Sequence, residues 1–155
     1  IIVIIAAIAA IRDLKPGNLM LTAEMNLKLS DFGLSKMLRK EQIMRGAYQM
    51  TGVTGTVRYM APEVIRSESY DEKVDIYSFS MVLWYMCTGE RPLAHCQPGD
   101  FFRSAAPAGG NGGGGALRPA LGVIRVPALR ELIRAMWDPA AAGRPAGGRG
   151  GGGGG

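Results

Sequence analysis

Between Val74 and Thr88 the chain reads Val-Asp-Ile-Tyr-Ser-Phe-Ser-Met-Val-Leu-Trp-Tyr-Met-Cys-Thr, apolar on nearly every face of a helix, and the run stops at Gly89. A helix without a wet side has to be covered by the rest of its chain, and glycine suits the left-handed turn that follows a helix end. The sequence therefore predicts a helix over Val74–Thr88, buried on most faces and capped by Gly89. A second helix opens at Pro127, where Leu129, Leu132, Ile133, Met136 and Trp137 form one apolar stripe, and Pro139 ends it. One domain with a single modest core is what 155 residues allow.

The strands are few. Leu19-Met20-Leu21 and the alternating Leu27-Lys28-Leu29-Ser30 flank the polar stretch Thr22–Asn26, the pattern of a small antiparallel hairpin. The opening run, Ile1 to Ile11, is eleven apolar residues long, which fits a buried strand or the end of a buried helix. It is too short for a membrane span of about 20 residues, and no basic region precedes it as in a signal peptide. A chain that starts inside a core without Met reads as a fragment. From Ser35 to Tyr59 there is no sustained period, and a loop of that length in a compact domain is functional or disordered. Glycines crowd residues 109–115, giving a flexible insertion at about 105–116. Residues 146–155 form a Gly/Arg tail with nothing to bury, expected to be disordered.

Charge is divided unevenly along the chain. Residues 1–100 hold 11 Lys+Arg and 11 Asp+Glu, whereas residues 101–155 hold 7 Arg and 2 acids. The net charge of +5 thus belongs to the Gly/Ala/Pro-rich final third, and it predicts no specific nucleic-acid surface on the folded part. Cys87 and Cys96 give neither a disulfide framework nor a zinc quartet, and His95 adds too few ligands. Two free thiols point to a reducing, cytoplasmic compartment.

The residues with chemistry converge just before the hairpin. In Arg12-Asp13-Leu14-Lys15-Pro16-Gly17-Asn18, a carboxylate, an ammonium and an amide fall within six residues, and Pro16-Gly17 keep the stretch out of helix or strand. Pairing Leu19–Leu21 with Leu27–Leu29 returns Asp31 to the side of Asn18. A carboxylate and an amide oxygen together suit Mg2+, a hard ion that leaves coordination positions for phosphates.

The order and spacing of these pieces carry a resemblance. Arg-Asp-Leu-Lys-Pro-x-Asn is followed thirteen residues after Asn18 by Asp31-Phe32-Gly33, and later by Gly55-Thr56-Val57-Arg58-Tyr59-Met60-Ala61-Pro62-Glu63. The chain resembles the C-terminal lobe of a eukaryotic protein kinase. The likeness is strong over about residues 11–93 and moderate over 116–145. It implies a mainly α, α+β fold in which a small antiparallel hairpin bears the site, with a partial kinase domain over 1–145 and the N-terminal lobe absent.

The same resemblance implies an ATP- and Mg2+-dependent transfer of a phosphoryl group to protein serine or threonine. Asp13 would be the catalytic base, and Asn18 and Asp31 the metal ligands. Lys15 would neutralise phosphate charge, and Thr56 would tie Asp13 and Lys15 to the peptide-binding loop; both are serine/threonine-type features. Met20 would floor the adenine site, and Phe32 and Gly33 complete the metal loop. Asp75 would brace the catalytic loop, and Arg144, in Trp137-Asp138-Pro139 with Arg144-Pro145, would pair with Glu63. Arg12 would hold a phosphorylated activation segment, with Thr51 and Thr54 as the candidate sites for an upstream activating kinase. The wording around Tyr77–Pro92 is similar to the tyrosine-kinase-like, Raf-related group.

Two departures modify these expectations. Ile11 stands where the family usually has His, which predicts reduced activity. No Gly-x-Gly-x-x-Gly lies ahead of Ile11, so the 155-residue chain by itself is expected to bind ATP poorly and turn over little. The alternative is a catalytically silent kinase-like scaffold or interaction module. The retained set Asp13, Lys15, Asn18 and Asp31 argues for the enzyme, since a scaffold has no physical need of it. A weak RNA-binding role for the Gly/Arg tail has only the charge asymmetry behind it.

Overall fold

A computed structural model describes residues 13–30, 56–105 and 117–145. In chain order these hold strands β1 (Leu19–Leu21) and β2 (Leu27–Leu29) and helices α1 (Pro62–Ile65), α2 (Lys73–Thr88), α3 (Pro98–Ala105) and α4 (Pro127–Met136). Single 3-10 turns occur at Pro16–Asn18 and Ala141–Gly143. The fold is mostly helical, with one two-stranded antiparallel sheet.

Helix α2 is the axis of the body. Val74, Tyr77, Met81, Val82 and Trp84 are buried on one side of it, and Phe79 on another. Gly89 ends it in the left-handed conformation at φ 74°, and its N–H caps the Tyr85 carbonyl. Polar side chains inside this helix are buried only with partners. Ser78 Oγ donates to the Tyr59 carbonyl at 2.8 Å, and Ser80 Oγ to the Tyr77 carbonyl at 2.5 Å. These bonds offset the cost of burying a hydroxyl.

Helix α4 packs on α2 through Ile133 and Met136, with Trp137 just beyond its end. The apolar stripe read from sequence is therefore only partly used: Leu129 is half-buried, and Leu132 is exposed. Trp84 Nε1 donates to the Ala120 carbonyl at 3.0 Å, fixing the chain that leads into α4.

The hairpin pairs Leu19 with Leu29, Met20 with Lys28 and Leu21 with Leu27, joining the two runs that the sequence predicts to pair. Its loop adds two bonds of its own, Met25 N–H to Thr22 O and Thr22 N–H to Asn26 O, both 2.9 Å. Helices α1 and α3, which the periodicity did not reveal, face each other over a small core of Val57, Leu93, Cys96 and Phe101. Phe102 packs partly against the same cluster, so the Phe101-Phe102 pair serves local packing. The opening apolar run, most of the 35–59 loop, the Gly-rich stretch at 109–115 and the 146–155 tail lie outside the described residues.

Candidate active site

Leu14 anchors the site loop. It is 1% exposed and packs against Phe79 of α2 and Met136 of α4, so its neighbours in sequence are held at the end of the helical body. Alternation does the rest: with Leu14 inward, Asp13 and Lys15 sit half-exposed on either side of it. The loop then closes in a 3-10 turn, with Pro16 as its first residue, where the sequence suggested neither helix nor strand. Proline's fixed φ is compatible with a first helical position, and Asn18 N–H donates to the Lys15 carbonyl at 3.0 Å.

That turn aims three side chains at one another. Asp13 Oδ2 accepts from Lys15 Nζ at 2.6 Å and from Asn18 Nδ2 at 3.0 Å. The Asn18 amide also donates to the Asp13 carbonyl at 2.8 Å. Asn18 is 6% exposed, so the bonds to Asp13 satisfy a buried amide and fix its rotation. The NH2 side of that amide faces Asp13, leaving Oδ1 as a hard oxygen outside this pair of bonds. Lys15 Nζ continues to Thr56 Oγ1 at 3.2 Å, a residue 41 positions later in the chain. The side chains of Lys15 and Asp13 retain 25% and 11% exposure, which leaves the carboxylate open to a small group from outside.

Thr56 is itself held from behind. Tyr59 N–H donates to its carbonyl at 3.0 Å, and Ser78 of α2 holds the Tyr59 carbonyl. The hairpin delivers its second arm to the same place: Ser30 N–H donates to the Asn18 carbonyl at 2.9 Å. Ser30 is the residue before Asp31. Asp31, Phe32, Gly33, Arg12, Ile11, Thr51 and Thr54 lie outside the described residues. Met20 is 56% exposed on β1.

A second polar cluster braces α1 against the end of the chain. Arg144 Nη1 and Nη2 donate to Glu63 Oε1 and Oε2 at 2.5 and 3.0 Å, and Arg144 Nη1 also reaches the Lys73 carbonyl. Arg144 lies 5.1 Å from the centroid of the Tyr77 ring, and Arg118 lies 4.8 Å from the same ring. Arg118 also donates to the Tyr77 hydroxyl and twice to the Trp137 carbonyl. Burial pushes the Tyr77 phenol above its ordinary pKa, while the two guanidiniums pull the other way. The same burial pulls the Arg118 guanidinium down, helped by the charge of Arg144. Asp75 is buried near the start of α2. Sequence reasoning missed Arg118: a lone arginine before a proline carries no periodic signal.

The protein kinase domain family matches residues 8–106, and the chain belongs to that family. It is 44% identical over 138 residues to the Serine/threonine-protein kinase VIK of Arabidopsis thaliana, covering 87% of this chain and 30% of that protein. The Dual specificity protein kinase shkD of Dictyostelium discoideum is 34% identical over 86% of this chain, which is 16% of that relative. The Mitogen-activated protein kinase kinase kinase dlk-1 of Caenorhabditis elegans is 45% identical over 54% of this chain and 8% of its own length. The chain thus spans less than a third of each of these curated relatives.

Proposed function

We propose that the chain is the C-terminal, catalytic-loop part of a serine/threonine protein kinase, a partial kinase domain over residues 1–145. The observation that carries this reading is the join of Lys15 to both Asp13 and Thr56. It brings a carboxylate, an ammonium and a hydroxyl at the start of the segment leading to α1 to one spot, which supports this reading. In this reading Asp13 orients the substrate hydroxyl and accepts its proton at a carboxylate oxygen. Lys15 keeps a positive charge beside the incoming group, and Thr56 fixes where that ammonium sits. Positioning and cations are most of what phosphoryl transfer asks of a protein.

Mg2+ and ATP fit the donor set on one observation: the buried Asn18 amide is oriented by Asp13, with its oxygen outside that pair of bonds. Asn18 and Asp31 would hold the metal, and Lys15 and the floor residue Met20 would face the nucleotide. When bound, Mg2+ with ATP supplies the phosphoryl group and neutralises charge on its oxygens. Arg12, Thr51 and Thr54 form the regulatory set, phosphorylated by an upstream kinase, and a protein is the substrate. Phe32 and Gly33 shape the metal loop; Glu63, Asp75 and Arg144 support the lobe. The relatives' names favour the serine/threonine class, with the tyrosine-kinase-like, Raf-related group as the finer assignment. The two free thiols support a cytoplasmic setting. Among the described residues, no helix is long and apolar enough to cross a membrane.

Mn2+ as a paramagnetic stand-in for Mg2+ tests the metal reading without any need for turnover. Added to the full chain, it should broaden the Asn18 side-chain amide and Ser30 amide NMR signals, and Asn18→Ala should abolish the broadening at Ser30. Broadening that is unchanged in Asn18→Ala contradicts the metal assignment.

A further inference from the structure

A small cavity lies between α1 and α3, and one of its walls is charged. Val57, Arg58, Ile65, Leu93, Phe101 and Ser104 are among the side chains that line it, and it leaves about 10 Å³ for a water to occupy, room for about one. Arg58 is 6% exposed. Its Nη1 donates to the Pro92 carbonyl at 2.6 Å and the Leu93 carbonyl at 3.0 Å. Its guanidinium carbon sits 5.9 Å from the centroid of the Phe101 ring. Its Nε, however, is the one buried side-chain nitrogen or oxygen among the described residues that has no hydrogen-bond partner. Leaving a buried charged donor unpaired forfeits its hydration with nothing in return, and native proteins rarely do so.

We propose that this cavity is a hydration site, in which one ordered water accepts a hydrogen bond from Arg58 Nε–H. The size of the space selects the ligand. The space suits a single water, and no second cationic side chain lines it to hold an anion. The partners that such a water needs are at hand. The Ser104 hydroxyl donates to the Phe101 carbonyl and accepts from Leu117 N–H, which leaves one lone pair. The Leu93 carbonyl has a second lone pair beyond its bond from Arg58.

The position gives the water a structural consequence. Arg58 lies two residues after Thr56, whose hydroxyl holds Lys15, and Ser104 lies on α3. The water joins the segment behind the active site to α3 and to the Pro92–Leu93 turn, where Leu93 takes a left-handed backbone at φ 53°. A single exchangeable molecule thus completes a polar link that the apolar walls alone cannot make. This inference rests on packing and hydrogen-bond chemistry, and it stands or falls independently of the phosphotransferase reading.

The test uses the full 155-residue chain as it is. In a crystal structure at water-resolving resolution, a density peak is expected at about 2.7–3.2 Å from Arg58 Nε, inside the cavity. In solution, the Arg58 Hε proton should show an NMR cross-relaxation signal with a long-lived water. It should also exchange with solvent at least tenfold more slowly than the Hε protons of exposed arginines such as Arg125. A dry cavity overturns the proposal, as does an Hε bonded to a protein oxygen or one that exchanges as fast as an exposed arginine.

Discussion

Arg144 closes on Glu63 with two guanidinium–carboxylate bonds of 2.5 and 3.0 Å, joining residues 81 positions apart across the helical body. The Arg144 side chain is fully buried and Glu63 nearly so. Removing one partner strands the other charge away from water, so Arg144→Met or Glu63→Met should each lower stability by about 3–5 kcal/mol. Replacing both with methionine should cost clearly less than the two single changes added together. Urea unfolding of the four proteins reads the coupling directly; additive losses contradict a mutually satisfied pair.

Tyr77, between Arg118 and Arg144, sets an alkaline limit. Burial raises its phenol above the ordinary tyrosine value, and burial raises Tyr59 likewise. In the unfolded chain a tyrosine loses its proton near pH 10. Above that pH the folded state binds more protons than the unfolded state, so stability falls as pH rises through the folded values. Tyr77→Phe loses the bond from Arg118, costing about 0.5–1.5 kcal/mol at neutral pH. It should nevertheless flatten the decline beyond pH 10. An unchanged alkaline slope would count against a neutral, buried phenol.

The two cysteines should react differently. Cys87 is exposed on α2, and Cys96 is buried in the core beneath α3. Burial pushes the Cys96 thiol up, with the Asp100 carboxylate adding to it, so little thiolate exists at neutral pH. Alkylation of the folded chain, mapped by mass spectrometry, should label Cys87 within minutes and Cys96 only on unfolding. Equal rates would place Cys96 at the surface.

Gly143 is constrained by close approach. A Cβ there would come within 2.6 to 2.8 Å of the Asp138 carboxylate, which could swing aside only by giving up its bond from the Ala140 N–H at 2.8 Å. Gly143→Ala should cost about 1–3 kcal/mol by overpacking. It should also disturb the adjoining Arg144, so that thermal unfolding of Gly143→Ala and Arg144→Ala should show shared, non-additive losses.

What was legible in the sequence was local. The two short apolar runs Leu19–Leu21 and Leu27–Leu29 on either side of a polar stretch were legible as a hairpin, although only the second alternates and Leu21 is exposed. The apolar run before Gly89 located α2 to within one residue of its start. Asp13, Lys15 and Asn18 were legible as a cluster because they share a loop of six residues. The join between Lys15 and Thr56 could be reached only through the family resemblance, since no local pattern connects residues 41 apart. Helix α1 has four residues and α3 eight, too short to show a period. Arg58 and Arg118 escaped for another reason: arginine is usually a surface residue, and only tertiary carbonyls and rings explain their burial.

The hydroxyl of Thr56 offers a narrower test of the site than the loss of any charge. Thr56→Ser keeps the oxygen that Lys15 Nζ meets at 3.2 Å, and Thr56→Val removes it at nearly constant volume. With the lysine signals followed by NMR, Thr56→Ser should keep Lys15 Nζ fixed and Thr56→Val should free it, with a stability loss of about 0.5–1.5 kcal/mol. Equal Lys15 mobility in the two variants would separate Thr56 from the site.

The central claim concerns Asp13, and phosphoryl transfer measures it most directly. The protein encoded by the complete reading frame that contains this chain is assayed with Mg2+ and ATP on serine- and threonine-containing peptides, with Asp13→Asn beside the wild type. Transfer to serine or threonine should fall about 10²–10⁴-fold in Asp13→Asn while the peptide KM changes little. Transfer at the same rate in both proteins would contradict the claim.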